Sequence, residues 1–487
     1  MPSQLKTNSI TRNTTYLTVA FILQKILSFI YFVYYSNIIG FTDTGKYIFA
    51  ISFVTIFGII VDLGFSPVLI REVSRNRGNA QRYLNNILGV KLYFSIIAAL
   101  SIIILVNLLR YPLVTQQLVW LVMMVMIVES FTLTFYGVFR GFQNLKYEAL
   151  GSVLFQIITF TSGFIGLSIT HNPLILGLAI IIGSVGNLVF AIIFLRKKLN
   201  LSLKVKWHHN TLRFLVRTAV PFFIAGVFIK IYAYVDIVML SLFKGDDYVG
   251  WYSIAYKLTY SLQFLPIALS NAIYPAFSRL FIEAKDKLSK SFERGLQYVI
   301  ILSIPVSIGA AYLAADIVNT LWPTFSESIP ALRIGIAGLF FVFANFIISS
   351  FLNACNRQKI NTINIGLTML VNIIMNLILI PKFGHNGAAL SAVGSAVFLF
   401  IIGTIWTSRI TKINFGWIII KLFQATFSAV IMILILQIIN YNLFINIAIG
   451  AMVYVVVLFI VRGITVNDIR IFWKSLARKK DNQELTD

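Results

Sequence analysis

Apolar stretches of about 20 residues alternate with short polar connections along the whole chain, and a helix of that length spans the roughly 30 Å hydrocarbon core of a bilayer. The pattern predicts an all-α integral membrane protein with about fourteen transmembrane helices. The predicted spans are residues 14–39, 47–70, 83–109, 115–139, 147–170, 174–195, 212–243, 249–274, 295–320, 331–352, 360–380, 386–408, 416–438 and 442–461.

Composition supports this interpretation. Of 487 residues, 58% are hydrophobic and 12% are charged, with a mean hydropathy of +0.86, whereas soluble domains are about a quarter charged. The sequence has a single cysteine and no HxxxH pair, so it has no pattern typical of a metal cluster. It also has no G-x-x-x-x-G-K-[ST] loop, the motif that binds the phosphates of ATP. We therefore expect no metal and no cofactor, and no hydrolysis of ATP by this chain.

Lysine and arginine are concentrated in the even-numbered connections, such as "RNRGNAQR" and "RKKLNLSLKVKW", and near the C-terminus. The positive-inside rule then places both termini in the cytoplasm of a multi-pass protein of the plasma (inner) membrane. This asymmetry accounts for the net charge of +23, so nucleic acid is not an expected partner. The tail "NDIRIFWKSLARKK" is typical of an interfacial amphipathic helix.

The sequence repeats with an offset of about 205 residues. At this offset "SNIIGFTDTGKYIFA" falls on "SLFKGDDYVGWYSIA", and Lys25 falls on Lys230. Six spans per copy preserve orientation, so the halves form a parallel repeat. We predict a six-helix lobe over 1–205, a second six-helix lobe over 206–410, two additional spans over 411–465 and a basic cytoplasmic tail over 466–487.

Two lysines lie deep inside predicted spans. Lys25 is about 11 residues into the first span, or roughly 16 Å from its start, and Lys230 is placed similarly in the seventh. Lysines at this depth require a wet interior or an acidic partner. One interpretation is a buried ion pair with Asp62, Glu129 or Asp236. The other is a cationic cavity for an anionic ligand, which the matched positions in the two halves favour.

Further residues are candidates for the same cavity. Lys257 of the eighth span could line the same space. Arg71, at the cytoplasmic mouth of the second span, is first of all a signal of orientation and secondly a candidate to bind phosphate. Tyr31, Tyr35 and Tyr234 offer rings and hydroxyl groups to a sugar, although tyrosine also belongs to ordinary interfacial belts.

A third lysine requires a different interpretation. Lys91 lies near the cytoplasmic end of the third predicted span, where a lysine reaches the interface by snorkelling.

Four motifs resemble those of Wzx-type oligosaccharide and O-antigen flippases, within the superfamily of multidrug, oligosaccharidyl-lipid and polysaccharide transporters. They are "DLGFSPVLIREVSR" at 62–75, "RGFQNLKYEAL" at 140–150, "LPIALSNAIYPAFSRL" at 265–280 and "NLILIPKFGHNGAAL" at 376–390. The resemblance covers residues 10–465 and implies two lobes around a cavity that opens alternately to each side of the membrane. It thus implies a secondary transporter rather than an enzyme.

The resemblance also implies a cargo, namely a polyprenyl-pyrophosphate-linked oligosaccharide moved from the cytoplasmic to the outer leaflet for cell-surface polysaccharide. Lys25 and Lys230 would stand where such proteins carry cavity cations, with Asp62 and Arg71 in the second-span motif.

Asp62, Glu129 and Asp236 are candidates for coupling to a proton or sodium gradient or to the membrane potential. Membrane lipids and other polysaccharide-assembly proteins are the expected partners.

Two alternative functions remain. A multidrug or cation extruder of the same superfamily would favour an acidic cavity. A membrane-embedded oligosaccharide polymerase or glycosyltransferase would require a larger exterior loop than these connections provide.

Overall fold

In a computed structural model the described residues are 7–439 and 441–464, with side chains described from residue 19, and every regular element in them is helical. The predicted tail over 466–487 lies outside the described residues. The helices are α1 Thr7–Asp62, α2 Phe65–Arg75, α3 Ala80–Leu108, α4 Leu113–Gly141, α5 Lys146–Ile169, α6 Leu174–Leu199, α7 His209–Lys244, α8 Asp246–Leu262, α9 Phe264–Glu283, α10 Lys285–Tyr312, α11 Ala314–Leu321, α12 Ser328–Ala337, α13 Leu339–Ala354, α14 Gln358–Ser408, α15 Phe415–Ile439 and α16 Leu443–Ile460.

In the described chain, eleven segments are long and apolar enough to cross a membrane, or twelve when α12 and α13, bent by 41°, count as one span. Two of these segments are too long for one crossing. Helix α1 has 56 residues and α14 has 51, and each is broken by a glycine with a non-helical backbone, Gly40 and Gly384 respectively. When α12 and α13 count as one span, dividing α1 and α14 at these glycines raises the count from twelve to fourteen, the predicted number.

The second predicted span, 47–70, ends earlier than the apolar pattern indicates. Helix α1 stops at Asp62, and Leu63 and Gly64 both have positive φ, 48° and 73°. A Cβ atom on Gly64 would lie 2.6 Å from the backbone nitrogen of Phe223 in α7. The glycine therefore allows both the turn and the close approach of α7, and α2 continues in a new direction.

Contacts divide the chain into two compact units. Unit 1 is the chain up to Ser253 together with Asn372–Ala388, and unit 2 is Ile254–Val371 together with the chain from Ala389 onward. The predicted division into lobes at residue 205 follows the sequence repeat rather than these contacts, and it stays a prediction.

Each unit has its own apolar core. In unit 1, α2 packs on α4 and α7, and in unit 2 α13 packs on α9 and α10 while α15 packs on α10 and α16. Fully buried side chains in unit 1 include Phe65, Leu69, Val73, Leu84, Phe139 and Leu215. Those in unit 2 include Phe277, Phe292, Phe343, Ile347, Phe351, Ala425 and Ala429.

A buried ion pair connects three helices of unit 1. The side chain of Lys91 on α3 has no exposed surface, and its Nζ donates to Asp62 Oδ1 at 2.9 Å. It also donates to the backbone oxygen of Ser130 at 2.9 Å and to Ser130 Oγ at 3.0 Å. Ser66 donates to the same carboxylate at 2.5 Å. The three N–H donors of the ammonium thus have three acceptors, on α1 and α4, and the lysine joins α3 to both helices.

The sequence repeat is visible where the α1 and α7–α8 turns meet. Gly40 and Gly245 both have positive φ, 76° and 89°. A Cβ on Gly45 would lie 1.9 Å from the backbone oxygen of Asp246, and a Cβ on Gly250 would lie 2.0 Å from that of Phe41. The two contacts are equivalent under the 205-residue offset. We call this reciprocal arrangement the glycine crossing.

Gly45→Ala and Gly250→Ala should each lower the stability of the purified protein in detergent by about 1–3 kcal/mol, because the new methyl group overlaps a backbone carbonyl. Thermal unfolding measures the effect. Gly58→Ala is the matched control, since its Cβ would meet the Met126 side chain at an ordinary 3.5 Å. Equal unfolding midpoints for Gly45→Ala and Gly58→Ala would contradict the glycine crossing.

Lys91→Met should destabilise the protein by about 3 kcal/mol, because it leaves the Asp62 carboxylate without its cation inside the bilayer. We place the effect at the lower end of the usual range because the Asp62 side chain is 24% exposed. Lys197→Met, at an exposed lysine of α6, is the control. If Lys197→Met lowers the midpoint of thermal unfolding as much as Lys91→Met, the ion pair contributes no measurable stability.

Candidate functional site

The two matched lysines both lie in unit 1. Lys25 belongs to the part of α1 before Gly40 and Lys230 belongs to α7. Helix α7 packs against α1 at Ile59, in the part of α1 after Gly40. Both lysine side chains are half-buried. Lys230 Nζ lies 5.6 Å from the ring centroid of Tyr234, a geometry in which the face of the ring attracts the ammonium.

Lys230 also faces two carboxylates. It interacts electrostatically with Glu129 of α4 and, more weakly, with Asp62 of α1. Within the described residues, neither carboxylate lies within the 4.0 Å of Lys230 that defines an ion pair. Of the three predicted acidic partners, Glu129 therefore has the strongest electrostatic interaction with Lys230, but the two side chains do not form an ion pair.

Asp62 binds Lys91, a residue that the sequence analysis placed at the membrane interface. Its ion pair is with Lys91, so the predicted snorkelling of Lys91 is wrong. The reason is that α1 and α4 provide acceptors for the ammonium inside the unit, and Lys91 does not need to reach the interface. The acidic residue of the second-span motif is thus part of the packed structure of unit 1.

Asp236 has neutral rather than cationic partners. Its side chain is buried, and it accepts a hydrogen bond from Asn376 Nδ2 at 2.5 Å and a longer one from the hydroxyl group of Tyr252 at 3.5 Å. Asn372, one turn before Asn376 on α14, also hydrogen bonds to this carboxylate. The amide oxygen of Asn376 is buried and accepts no hydrogen bond within the described residues.

Sequence reasoning missed the asparagines around Asp236, although a signal was present. Helix α14 carries a stripe of polar residues at four-residue spacing in an apolar span. All of them are buried: Asn364, Thr368, Asn372 and Asn376. Such spacing places side chains on one helix face, and polar groups inside a membrane span are usually functional or interhelical.

The three predicted sugar contacts lie in different environments. Tyr31 and Tyr35 are each 4% exposed and stack edge to face at 5.2 Å between ring centroids. A Cβ on Gly163 would lie 1.8 Å from the hydroxyl oxygen of Tyr31, so this ring fills a space that only glycine leaves open. In this conformation both tyrosines are core residues, whereas Tyr234 is half-buried.

The two remaining cationic candidates, Arg71 and Lys257, belong to different units. Arg71 on α2 is 40% exposed and donates to Glu72 at 2.8 Å, which leaves part of its guanidinium accessible. Lys257 on α8 is half-buried and belongs to unit 2. Lys25, Lys230 and Arg71 thus belong to unit 1 and Lys257 to unit 2, and their role in binding stays a prediction.

Family models match most of the chain. The model described as "Polysaccharide biosynthesis protein" matches residues 10–281, and the MatE model matches residues 221–378. The first match alone covers more than half of the 487 residues.

Individual proteins are similar at lower identity. The chain is 26% identical over 324 residues to the "Uncharacterized membrane protein MJ1068" of Methanocaldococcus jannaschii, covering 64% of each chain. It is 29% identical over 166 residues to the "Probable flippase AglR" of Haloferax volcanii, covering 33% of this chain and 34% of the relative. The matches thus span less than two thirds of these relatives.

A solved structure of the "Lipid II flippase MurJ, inward closed conformation" superposes with a TM-score of 0.71 at 15% identity, covering 95% of this chain and 99% of the other. At this identity the likeness shows a shared fold. The match of the first family model to more than half of the chain shows that the chain belongs to the polysaccharide biosynthesis protein family.

Proposed function

We propose that this transporter flips a polyprenyl-pyrophosphate-linked oligosaccharide from the cytoplasmic to the outer leaflet of the plasma (inner) membrane by alternating access. The observation that carries the proposal is the pair of half-buried lysines, Lys25 and Lys230, at positions of α1 and α7 that match under the 205-residue offset. Two ammonium groups inside the spans favour an anionic cargo over an apolar or cationic one.

The charges suit a diphosphate. Two phosphates in a medium of low dielectric require opposite charge nearby, and charge-assisted hydrogen bonds from lysine or arginine are the stronger ones available to a protein. Lys25 and Lys230 would bind the diphosphate within the span, while the exposed part of Arg71 would meet it first at the predicted cytoplasmic side. The glycan would cross the membrane through a water-filled path within the protein, and the lipid tail would remain in the bilayer.

Asp236 is the carboxylate best suited to ion coupling. Its neighbours on α14 provide amide oxygens and amide hydrogens rather than a cation, and Asn376 Oδ1 accepts no hydrogen bond in the described chain. Oxygen ligands from a carboxylate and amides suit a hard cation such as sodium, and a buried carboxylate also suits a proton. Asp62 is less suited, because Lys91 already neutralises it.

A multidrug or cation extruder is the second candidate, and the match of the MatE model to residues 221–378 favours it. The two functions require opposite charge in the transport path, because a cationic drug is repelled by Lys25 and Lys230. Surface polysaccharide assembly would add glycan-handling proteins as partners of the proposed flippase, and a drug extruder would not require them.

The test uses protein reconstituted in proteoliposomes with a fluorescent prenyl-pyrophosphate-linked saccharide. Lys25→Ala combined with Lys230→Ala should reduce the flipping rate at least tenfold, which corresponds to about 1.4 kcal/mol, because the diphosphate loses both cations. Lys25→Arg combined with Lys230→Arg should retain most of the rate.

Lys197→Ala, at an exposed lysine of α6, is the matched control for lost charge. Undiminished flipping by the double alanine variant, at equal protein levels, would reject the proposal. Transport of a cationic dye by the same vesicles, without any flipping of the saccharide lipid, would instead support the extruder.

A further inference from the structure

Glu129 stands out among the membrane carboxylates of unit 1 because nothing donates a hydrogen bond to it in the described part of the chain. Asp62 accepts from Lys91 and Ser66, and Asp236 accepts from Asn376. Glu129 is half-buried and interacts with Lys230 through charge alone. This carboxylate is thus the one that can move away without breaking a hydrogen bond.

The packing of α4, α1 and α7 directs the two charged groups toward each other. A Cβ on Gly58 of α1 would touch Met126 of α4 at 3.5 Å, and Ile59 of α1 fills the space beside Gly226 of α7. Both contacts lie at one level of α1. Glu129 lies about 4.5 Å beyond Met126 along α4, and Lys230 lies about 6 Å beyond Gly226 along α7.

Helical side chains lean toward the N-terminus of their own helix. The carboxylate of Glu129 therefore leans back toward the level of Met126, and the ammonium of Lys230 leans back toward the level of Gly226. Because Gly58 and Ile59 are consecutive residues, the two groups lie near the same level of α1. The electrostatic interaction between them agrees with this geometry.

A lone ammonium at this depth would be costly without an anion nearby. Glu129 supplies that anion while no ligand is bound. When a diphosphate arrives, it competes with Glu129 for the same cation, and the carboxylate lowers the net gain from binding. A carboxylate held only by charge can yield the cation to a ligand, whereas Asp62, bonded to Lys91, cannot.

We propose that Glu129 is the exchangeable counter-ion of Lys230, meaning the internal anion that an anionic head group displaces on binding and that takes its place again on release. The inference rests on the proposed function and adds a residue that sets affinity. By weakening the bound state, Glu129 allows a diphosphate to leave the site after translocation. It determines how tightly the head group binds rather than whether it binds.

The test measures binding of farnesyl pyrophosphate to the full chain in nanodiscs, with inorganic pyrophosphate and farnesol as separate probes. Glu129→Gln should bind farnesyl pyrophosphate about tenfold more tightly than the wild type, a gain of about 1.4 kcal/mol, and should release it more slowly. Glu129→Asp keeps the charge and should bind as the wild type does. Farnesol should show no difference between variants.

Glu283→Gln is the matched control, since it removes the same charge from an exposed carboxylate, 65% accessible, beside Arg279. In a Lys230→Gln background, Glu129→Gln should lose its effect, because the cation for which the two anions compete is gone. This comparison keeps the test decisive should Glu129→Gln alone reduce the yield of folded protein.

The outcomes separate the two proposals. If Lys230→Gln weakens binding of farnesyl pyrophosphate and Glu129→Gln leaves it unchanged or weaker, the counter-ion role is wrong and the flippase proposal stands. If Lys230→Gln leaves binding unchanged, the lysine does not bind the diphosphate and both proposals fall. Tighter binding of inorganic pyrophosphate by Glu129→Gln would support the exchange and show that the phosphates alone drive it.

Discussion

A charge inside a bilayer is costly unless water in a cavity or groups of the protein itself compensate it. Unit 1 does this in three ways. Lys91 and Asp62 neutralise each other and are further satisfied by serine groups. Asp236 is surrounded by amides and a phenol. Lys230 has an aromatic face and a carboxylate that is near but not bonded to it.

These arrangements differ in how easily they can be undone. Breaking a fully bonded pair leaves an uncompensated buried charge, at a cost of about 3–5 kcal/mol, so Lys91 and Asp62 belong to the architecture. The Glu129 and Lys230 charges are half-buried, and another anion can replace the carboxylate at little cost in hydrogen bonds. The structural pair and the charges of the proposed site therefore differ in the completeness of their hydrogen bonding.

The spans and the repeat were predictable because both depend on local features of the sequence. Apolar stretches of sufficient length predict helices, and Gly40 and Gly245 mark equivalent turns. The early end of the second span was not predictable from hydropathy, since Leu63 and Gly64 interrupt the helix inside an otherwise apolar stretch. That break depends on the close approach of α7, which is a tertiary contact.

The depth of Lys25 and Lys230 in their spans could be predicted by counting residues along the chain. Which carboxylate interacts with Lys230 could not be predicted in this way. Three carboxylates were candidates, and Lys230 has its main interaction with Glu129, about a hundred residues earlier. Only the packing of α4 and α7 against α1 selects it. The buried stripe on α14 is a different case, because its four-residue spacing was visible in the sequence and Asp236 was already a candidate.

The glycine crossing has a consequence for the origin of the chain. Each half contributes one glycine and one carbonyl oxygen, and each receives the same from the other. Such reciprocity is the hallmark of an isologous interface, in which a single patch recognises its own copy around a two-fold axis. An ancestral six-span homodimer would form this contact from one sequence, and gene fusion would then have enclosed it within a single polypeptide.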